Sequence, residues 1–149
     1  RWLVLRARQD EAAVAAAKGA LADLARSTER IFRVSCPFRC DPPVQVGDNK
    51  MATQLYRIAQ EAVGNAIKHS QADRIEVSLE LNEGMIVLTI RDNGKGIPEG
   101  VAAKSNGMGL LTMNHRARMV GGTLTVAQDR FGGTVVECVA PALPSTSLP

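Results

Sequence analysis

Long apolar runs, charge of one sign, aromatic bulk and paired cysteines are all scarce in this chain. A membrane-spanning helix needs about 20 consecutive apolar residues. Nothing approaches that length, and the opening Trp2-Leu3-Val4-Leu5 run is broken at Arg6. With 18 Lys+Arg against 15 Asp+Glu, the net charge is only +3 and both signs are spread along the sequence. That balance argues against a dedicated nucleic-acid binder, whose basic residues concentrate on one face. The three cysteines, Cys36, Cys40 and Cys138, are an odd number, so a disulfide framework would leave one unpaired. Cys36 and Cys40 lack the second pair or the spaced His that a tetrahedral metal set requires. All three are expected to be core filling, and a reducing cytoplasm is the expected compartment. Arg1 is followed by no signal-peptide pattern, and the chain is expected to be a piece of a longer one.

What remains is 149 residues with 45 % apolar content, carried mainly by Ala, Val, Leu and Ile. A domain of this size buries roughly 70 % of its unfolded surface, enough for a core without staples. Val14, Ala17, Leu21 and Leu24 recur at helical spacing within 10–30. Phe32, Val34, Cys36 and Phe38 alternate as on a half-buried strand, with Pro37 marking an edge. A long helix capped by Asp48 or Asn49 runs to about Ser70, with Met51, Leu55, Ile58, Ala59, Ala62, Val63 and Ala66 on its apolar face. Two alternating runs at 75–81 and 86–90, joined through Asn82-Glu83-Gly84, predict a hairpin. A Gly-rich loop leads to a helix over 109–120, ended by Gly121-Gly122. Strands at 123–128 and 134–140 flank Gly132-Gly133, and the Pro- and Ser-containing tail from Pro141 is expected to be disordered. This order suits a two-layer α/β sandwich, a mixed and mainly antiparallel sheet with helices on one face.

Three places carry candidate chemistry. On the long helix, Glu61, Asn65 and His69 fall at i, i+4 and i+8, beside Lys68. A carboxylate and an amide oxygen one turn apart can hold hydrated magnesium or orient a proton acceptor, although a solvated helix face has the same look. In Asp92-Asn93-Gly94-Lys95-Gly96-Ile97-Pro98, Asp92 shares parity with Leu88 and Ile90, so its carboxylate points to the apolar side and needs a partner. Gly94 and Gly96 would let the backbone turn close to a flat ligand; the alternative is an Asp that caps a turn. Asn106-Gly107-Met108-Gly109-Leu110 sets a Gly-x-Gly immediately before a helix, where free amides and the helix dipole favour phosphate. It matches neither the Gly-Lys-Ser/Thr loop nor the dinucleotide spacing, and a linker is the alternative.

In this order and spacing the three elements resemble the ATP-binding catalytic domain of sensor histidine kinases, in the GHKL superfamily. The residues concerned are Leu55-Tyr56-Arg57-Ile58-Ala59-Gln60-Glu61-Ala62 with Asn65, Lys68 and His69, then Asp92 to Pro98, then Gly107 to Leu110, Met113 to Ala117, and Gly132-Gly133-Thr134. Their wording is most similar to the nitrate and phosphosugar sensor subgroup. The resemblance implies the Bergerat ATP-binding sandwich over 31–141, a helical linker or dimerisation remnant over 1–30, and a disordered tail over 142–149. It implies ATP and Mg2+ as cofactors, with Asn65 the magnesium ligand, Glu61 the proton acceptor or water orienter, and Lys68 and His69 near the phosphates. Asp92 would take the adenine amine, Gly94, Gly96 and Ile97 would shape the pocket, and Thr134 would reach the adenine side. Gly107, Met108, Gly109 and Leu110 would line the triphosphate under a short lid at 98–106.

Such kinases phosphorylate a histidine on a separate dimerisation domain, whereas the histidines here are His69 and His115. The implied partners are therefore that phosphoacceptor domain of a homodimeric parent and, indirectly, a response regulator, with no nucleic acid and no membrane contact by this segment. One departure from the subgroup is Gly64, where a second asparagine is common. A non-catalytic ATP-sensing module, a mechanical ATPase clamp and a serine kinase that restrains sigma factors are the competing readings.

Overall fold

The computed structural model describes residues 18–40, 49–96 and 107–142. The expected lid at 98–106, Ile97, Asp48, Val14, Ala17 and the tail from 143 lie outside the described residues. Five strands form one sheet in the order β1-β2-β3-β5-β4, with β1 at Phe38–Cys40, β2 at Ile75–Asn82, β3 at Met85–Asp92, β4 at Thr123–Gln128 and β5 at Thr134–Pro141. β1 runs parallel to β2 and every other pair is antiparallel, which is the mixed sheet expected. Helix α1 covers 18–32 of the described residues, α2 spans Asn49–Asn65 and continues into a π-helical turn at Ala66–Ser70, and α3 spans Gly107–Met119.

Strand parity decides which side chains meet the helices. Val77 opposes Ile90, Leu79 opposes Leu88, and Leu88 and Ile90 oppose Cys138 and Val136 on β5. All of these are buried, as are Ile86 and Ala140. Every apolar-face residue expected on α2, from Met51 to Ala66, is buried against this surface. Four of its buried residues are alanines, Ala52, Ala59, Ala62 and Ala66, which lets the helix lie close to the sheet. Each larger aliphatic side chain so buried contributes about 1.5–3 kcal/mol. Met113 and Ala117 bring α3 into the same core.

The connections follow local chemistry. Glu83 and Gly84 both take positive φ, the two-residue turn whose twist matches antiparallel strands. Helix α3 ends with Gly121 at φ +72, Gly122 N–H donating to the Ala117 oxygen and Gly121 N–H to the Arg118 oxygen, which satisfies its last carbonyls. Pro141 is the last residue of β5 rather than the start of a tail, and Ala142 N–H still donates to the Gly84 oxygen.

The expected strand from Phe32 is corrected. Helix α1 runs through 32, Arg33 turns the chain at φ 56, and the strand shrinks to Phe38–Cys40. Glu29 accepts the Cys36 N–H at 2.9 Å, Ser35 bridges to Arg74, and Val77 N–H donates to the Pro37 oxygen, so this segment is tied down ahead of the continuous strand. Pro37 does precede an edge strand, as expected. Leu21 and Ala25 of α1 belong to the same core as α2 and the sheet, and the buried Thr28 hydroxyl donates to the Leu24 oxygen. Cys36 and Cys138 are buried and Cys40 half-buried, all with free thiols. Burial pushes Cys36 and Cys138 up to about 11, with Glu29 adding to the effect at Cys36, so neither is a nucleophile at neutral pH. No helix among the described residues is long and apolar enough to cross a membrane.

Candidate nucleotide site

Asp92 closes β3 on its buried face, opposite Ile75, and is 5 % exposed. Its Oδ1 accepts the Gly94 N–H at 2.8 Å and the Thr134 N–H at 3.4 Å. Burial pushes the carboxyl above its ordinary range; hydrogen bonds from the Gly94 and Thr134 amides and from the Ser70 side chain oppose that rise, and Asp129 reinforces it. Thr134, at the start of β5, is also buried, and its Oγ1 has no hydrogen-bond partner. A buried carboxylate and an orphaned hydroxyl on adjoining strands form a polar pair that awaits a ligand or water.

Four glycines stand where a side chain would collide with neighbouring atoms. A Cβ at Gly94 would stand 2.3 Å from the Ser70 oxygen, one at Gly96 2.4 Å from the Gly132 oxygen, and one at Gly133 1.7 Å from the Asp92 oxygen. Gly96 also sits at φ +75, which a side chain rarely tolerates. The loop after β3 is clamped by Asn93, whose Oδ1 accepts the Asp73 and Arg74 N–H groups, and by Lys95 N–H on the Ser70 oxygen.

The fourth glycine, Gly109, joins two motifs about 45 residues apart in the chain. A Cβ there would meet Glu61 Oε1 at 2.8 Å and Asn65 Nδ2 at 3.8 Å, so Glu61 and Asn65 face the first turn of α3. Gly107 and Gly109 lie inside that turn, because α3 begins at Gly107 rather than at Gly109. The first four amides of a helix lack intrahelical acceptors, and Gly109, third in α3, brings that end of the helix beside Glu61 and Asn65. Leu110 itself leans on the core, and Arg116, further along α3, donates to Gln54 of α2 at 2.9 Å, bracing the two helices.

The straight Glu61–Asn65–His69 stripe is corrected. The helix is α only to Asn65, and the next turn is π, so the i+8 relation assumed for His69 does not apply. Lys68 and His69 stand exposed in the last turn, where cations also complement the helix C-terminus. Ser70, Asn93 and Gly133 were not singled out as site residues from the sequence, although Gly133 lies beside Thr134 within the quoted Gly132-Gly133-Thr134. Gly64, the departure from the subgroup, has nothing within 4 Å of where its Cβ would lie. Gly64→Ala is therefore expected to stabilise α2 by about 0.5–1 kcal/mol, measured by urea denaturation.

Residues 51–144 match the family model described as histidine kinase-, DNA gyrase B-, and HSP90-like ATPase. The chain belongs to this ATPase family. Among its relatives are the oxygen sensor histidine kinase NreB of Staphylococcus carnosus, 37 % identical over 113 residues, and the histidine-protein kinase/phosphatase DegS of Bacillus subtilis, 36 % identical over 115. The matches cover 76 % and 73 % of this chain but only 33 % and 29 % of those proteins. The nitrate/nitrite sensor NarX of Escherichia coli is 39 % identical over 94 residues, 63 % of this chain and 16 % of NarX. The fold matches the ATP-binding domain of PrrB from Mycobacterium tuberculosis at a TM-score of 0.71 and 24 % identity, covering 84 % of this chain and 93 % of that one. The chain is thus the ATPase-family domain found in sensor histidine kinases, and it spans about a third or less of these relatives.

Proposed function

We propose that this domain binds Mg-ATP between the Asp92–Thr134 pair and the start of α3, and presents the γ-phosphate to a histidine on a dimerisation domain of the same parent. The observation that carries the reading is the buried Asp92 carboxylate beside the unpartnered Thr134 hydroxyl, on a backbone that Gly94, Gly96 and Gly133 let pack closely against Ser70, Gly132 and Asp92. A flat ring bearing an exocyclic amine offers a donor to the carboxylate, and its ring nitrogens, directly or through water, can accept from the hydroxyl. The free amides of α3's first turn suit the phosphates, and Gly107 and Gly109 let them approach. Ile97 and the 98–106 segment are assigned to the pocket edge and lid by resemblance.

Asn65 would hold magnesium through its amide oxygen. A magnesium ion at a bound nucleotide typically takes one or two protein oxygens and is completed by phosphates and water. The γ-phosphoryl group would pass from ADP oxygen to imidazole nitrogen, and magnesium, when bound, would supply charge compensation at the phosphates. Glu61, exposed and facing Gly109, would take the proton that the imidazole nitrogen gives up, the proton-acceptor role that the resemblance implies for it. Lys68 and His69 are proposed to approach the phosphates from the same end. Helix α1 is proposed to lead toward the dimerisation domain, the parent to be a homodimer that passes the phosphoryl group to a response regulator, and this domain to work in the cytoplasm.

Calorimetry with a non-hydrolysable ATP analogue, with and without magnesium, tests the reading. Micromolar binding, about −8 kcal/mol, that strengthens with magnesium is expected. Asn65→Ala should lose the magnesium increment while melting within about 1 kcal/mol of the wild type, since its side chain is half-exposed. An unchanged increment would remove Asn65 from the metal site.

A further inference from the structure

Ser70 is a buried polar residue outside the motifs that identify the family, 6 % exposed at the end of the π-helical turn Ala66–Ser70. Gln71 follows in the left-handed region at φ 53, so the helix stops abruptly with Ser70 turned inward. Its main-chain oxygen accepts the Lys95 N–H at 2.9 Å, and its Cβ fills the space beside Gly94, 2.5 Å from where a Gly94 Cβ would stand. One residue therefore grips the loop that follows Asp92, and its buried side chain lies against Gly94, the residue whose N–H donates to the Asp92 carboxylate at 2.8 Å. π turns interrupt α-helices at a cost and are found disproportionately at functional sites.

We infer that Ser70 is a positioning residue for Asp92: its hydroxyl donates to the carboxylate and aims it into the pocket, while its main chain fixes the Gly94–Lys95 turn. The placement of Ser70 beside Gly94 and Lys95 is independent of any ligand; its consequence for ligand binding rests on the nucleotide reading above. The other elements packed on Asp92 offer Ile75 from β2 and Thr134 from β5, both uncharged, and the charged Asp129 from the β4–β5 turn. Asp129 opposes ionisation of Asp92 and is itself 3.8 Å from the Arg91 guanidinium. The Ser70 donor works against both that repulsion and burial, and so acts on the form of Asp92 that can accept a ligand amine.

The test uses the 149-residue chain carrying Ser70→Ala. The Asp92 carboxyl is titrated by carbon-13 NMR without nucleotide, and affinity for the non-hydrolysable ATP analogue is measured from pH 5 to pH 8. The Asp92 midpoint is expected to rise above wild type, affinity at pH 7 to fall about tenfold, and the loss of affinity on acidification to begin at higher pH. Ser70→Cys, with a weaker donor of similar size, should fall between. Thr28→Ala, which removes another buried hydroxyl, one that donates to the Leu24 oxygen within α1, should leave both the midpoint and the pH profile in place. An unmoved Asp92 midpoint in Ser70→Ala overturns the inference. A raised midpoint in a chain that binds no nucleotide in any form supports the role of Ser70 and overturns the nucleotide reading instead.

Discussion

Asp92→Asn is expected to lose nucleotide affinity by about 100-fold and, at neutral pH, to yield a more stable nucleotide-free domain than the wild type. The two effects have one cause. Burial raises the folded-state pKa of Asp92 above its ordinary 3.8, so the folded state binds this proton more tightly than the unfolded chain does. The stability contributed by the neutral carboxyl is fully present below 3.8 and is lost as pH rises through the folded-state value. Above that value the folded domain carries an anion in a site that disfavours it. An amide avoids that cost, and its oxygen can still accept the Gly94 and Thr134 N–H groups. Its NH2 group, however, confronts a ligand amine with a donor where an acceptor is needed. Urea denaturation at the acid end and at pH 7 should show a stability difference between Asp92→Asn and wild type that is small in acid and grows toward neutrality. A difference that stays constant with pH, or a variant that binds the ATP analogue as well as wild type, would dismiss Asp92 as the buried, ligand-facing carboxylate. The arrangement is a trade of stability for recognition, since a carboxylate kept dry without a permanent cation partner is unfavourable until a ligand arrives.

What could be read in advance from the residues followed from local periodicity. The α2 stripe from Met51 to Ala66, the β2–β3 hairpin and the inward parity of Asp92 each depend on spacing within one element, and all appear in the fold. The misplaced strand start shows the limit. Phe32, Val34, Cys36 and Phe38 do alternate, yet Phe32 is exposed at the end of α1, Ser35 makes only an isolated bridge to Arg74, and the continuous strand begins at Phe38. Glu29 and Val77 reach in from other elements to fix this stretch, and a local pattern carries no record of them. The π turn is a second case: Ala66–Ser70 has an ordinary helical composition, and its widening accompanies contacts to the loop after Asp92. Asn93 looked like part of a ligand loop, but its side chain is spent on the Asp73 and Arg74 amides. At the site itself, family wording named Asp92, Thr134, Glu61 and Asn65. The contacts that hold them, through Ser70 and Gly133, cross between elements distant in sequence and became visible only in three dimensions.

Gly133→Ala is expected to be among the most damaging single-methyl additions in the molecule. A Cβ at this position would lie 1.7 Å from the Asp92 oxygen, 2.7 Å from its carbonyl carbon and 3.1 Å from the Asn93 Cα, all main-chain atoms that cannot rotate away. Relief requires β3 and β5 to separate where Arg91 pairs with Val135, which breaks the ladder at the edge of the pocket. The cost is about 3 kcal/mol or more, a drop in melting temperature on the order of 10 °C. Gly64→Ala supplies the contrast, because the same methyl there enters open space on a helix and should raise stability. A Gly133→Ala chain that melts with the wild type would mean that β3 and β5 are not in this contact. Because the obstructed atoms are Asp92's own main chain, the expected damage goes further than unfolding. Even at temperatures where Gly133→Ala remains folded, moving that carbonyl shifts the carboxylate attached to the same residue, and nucleotide binding should fail before the fold does.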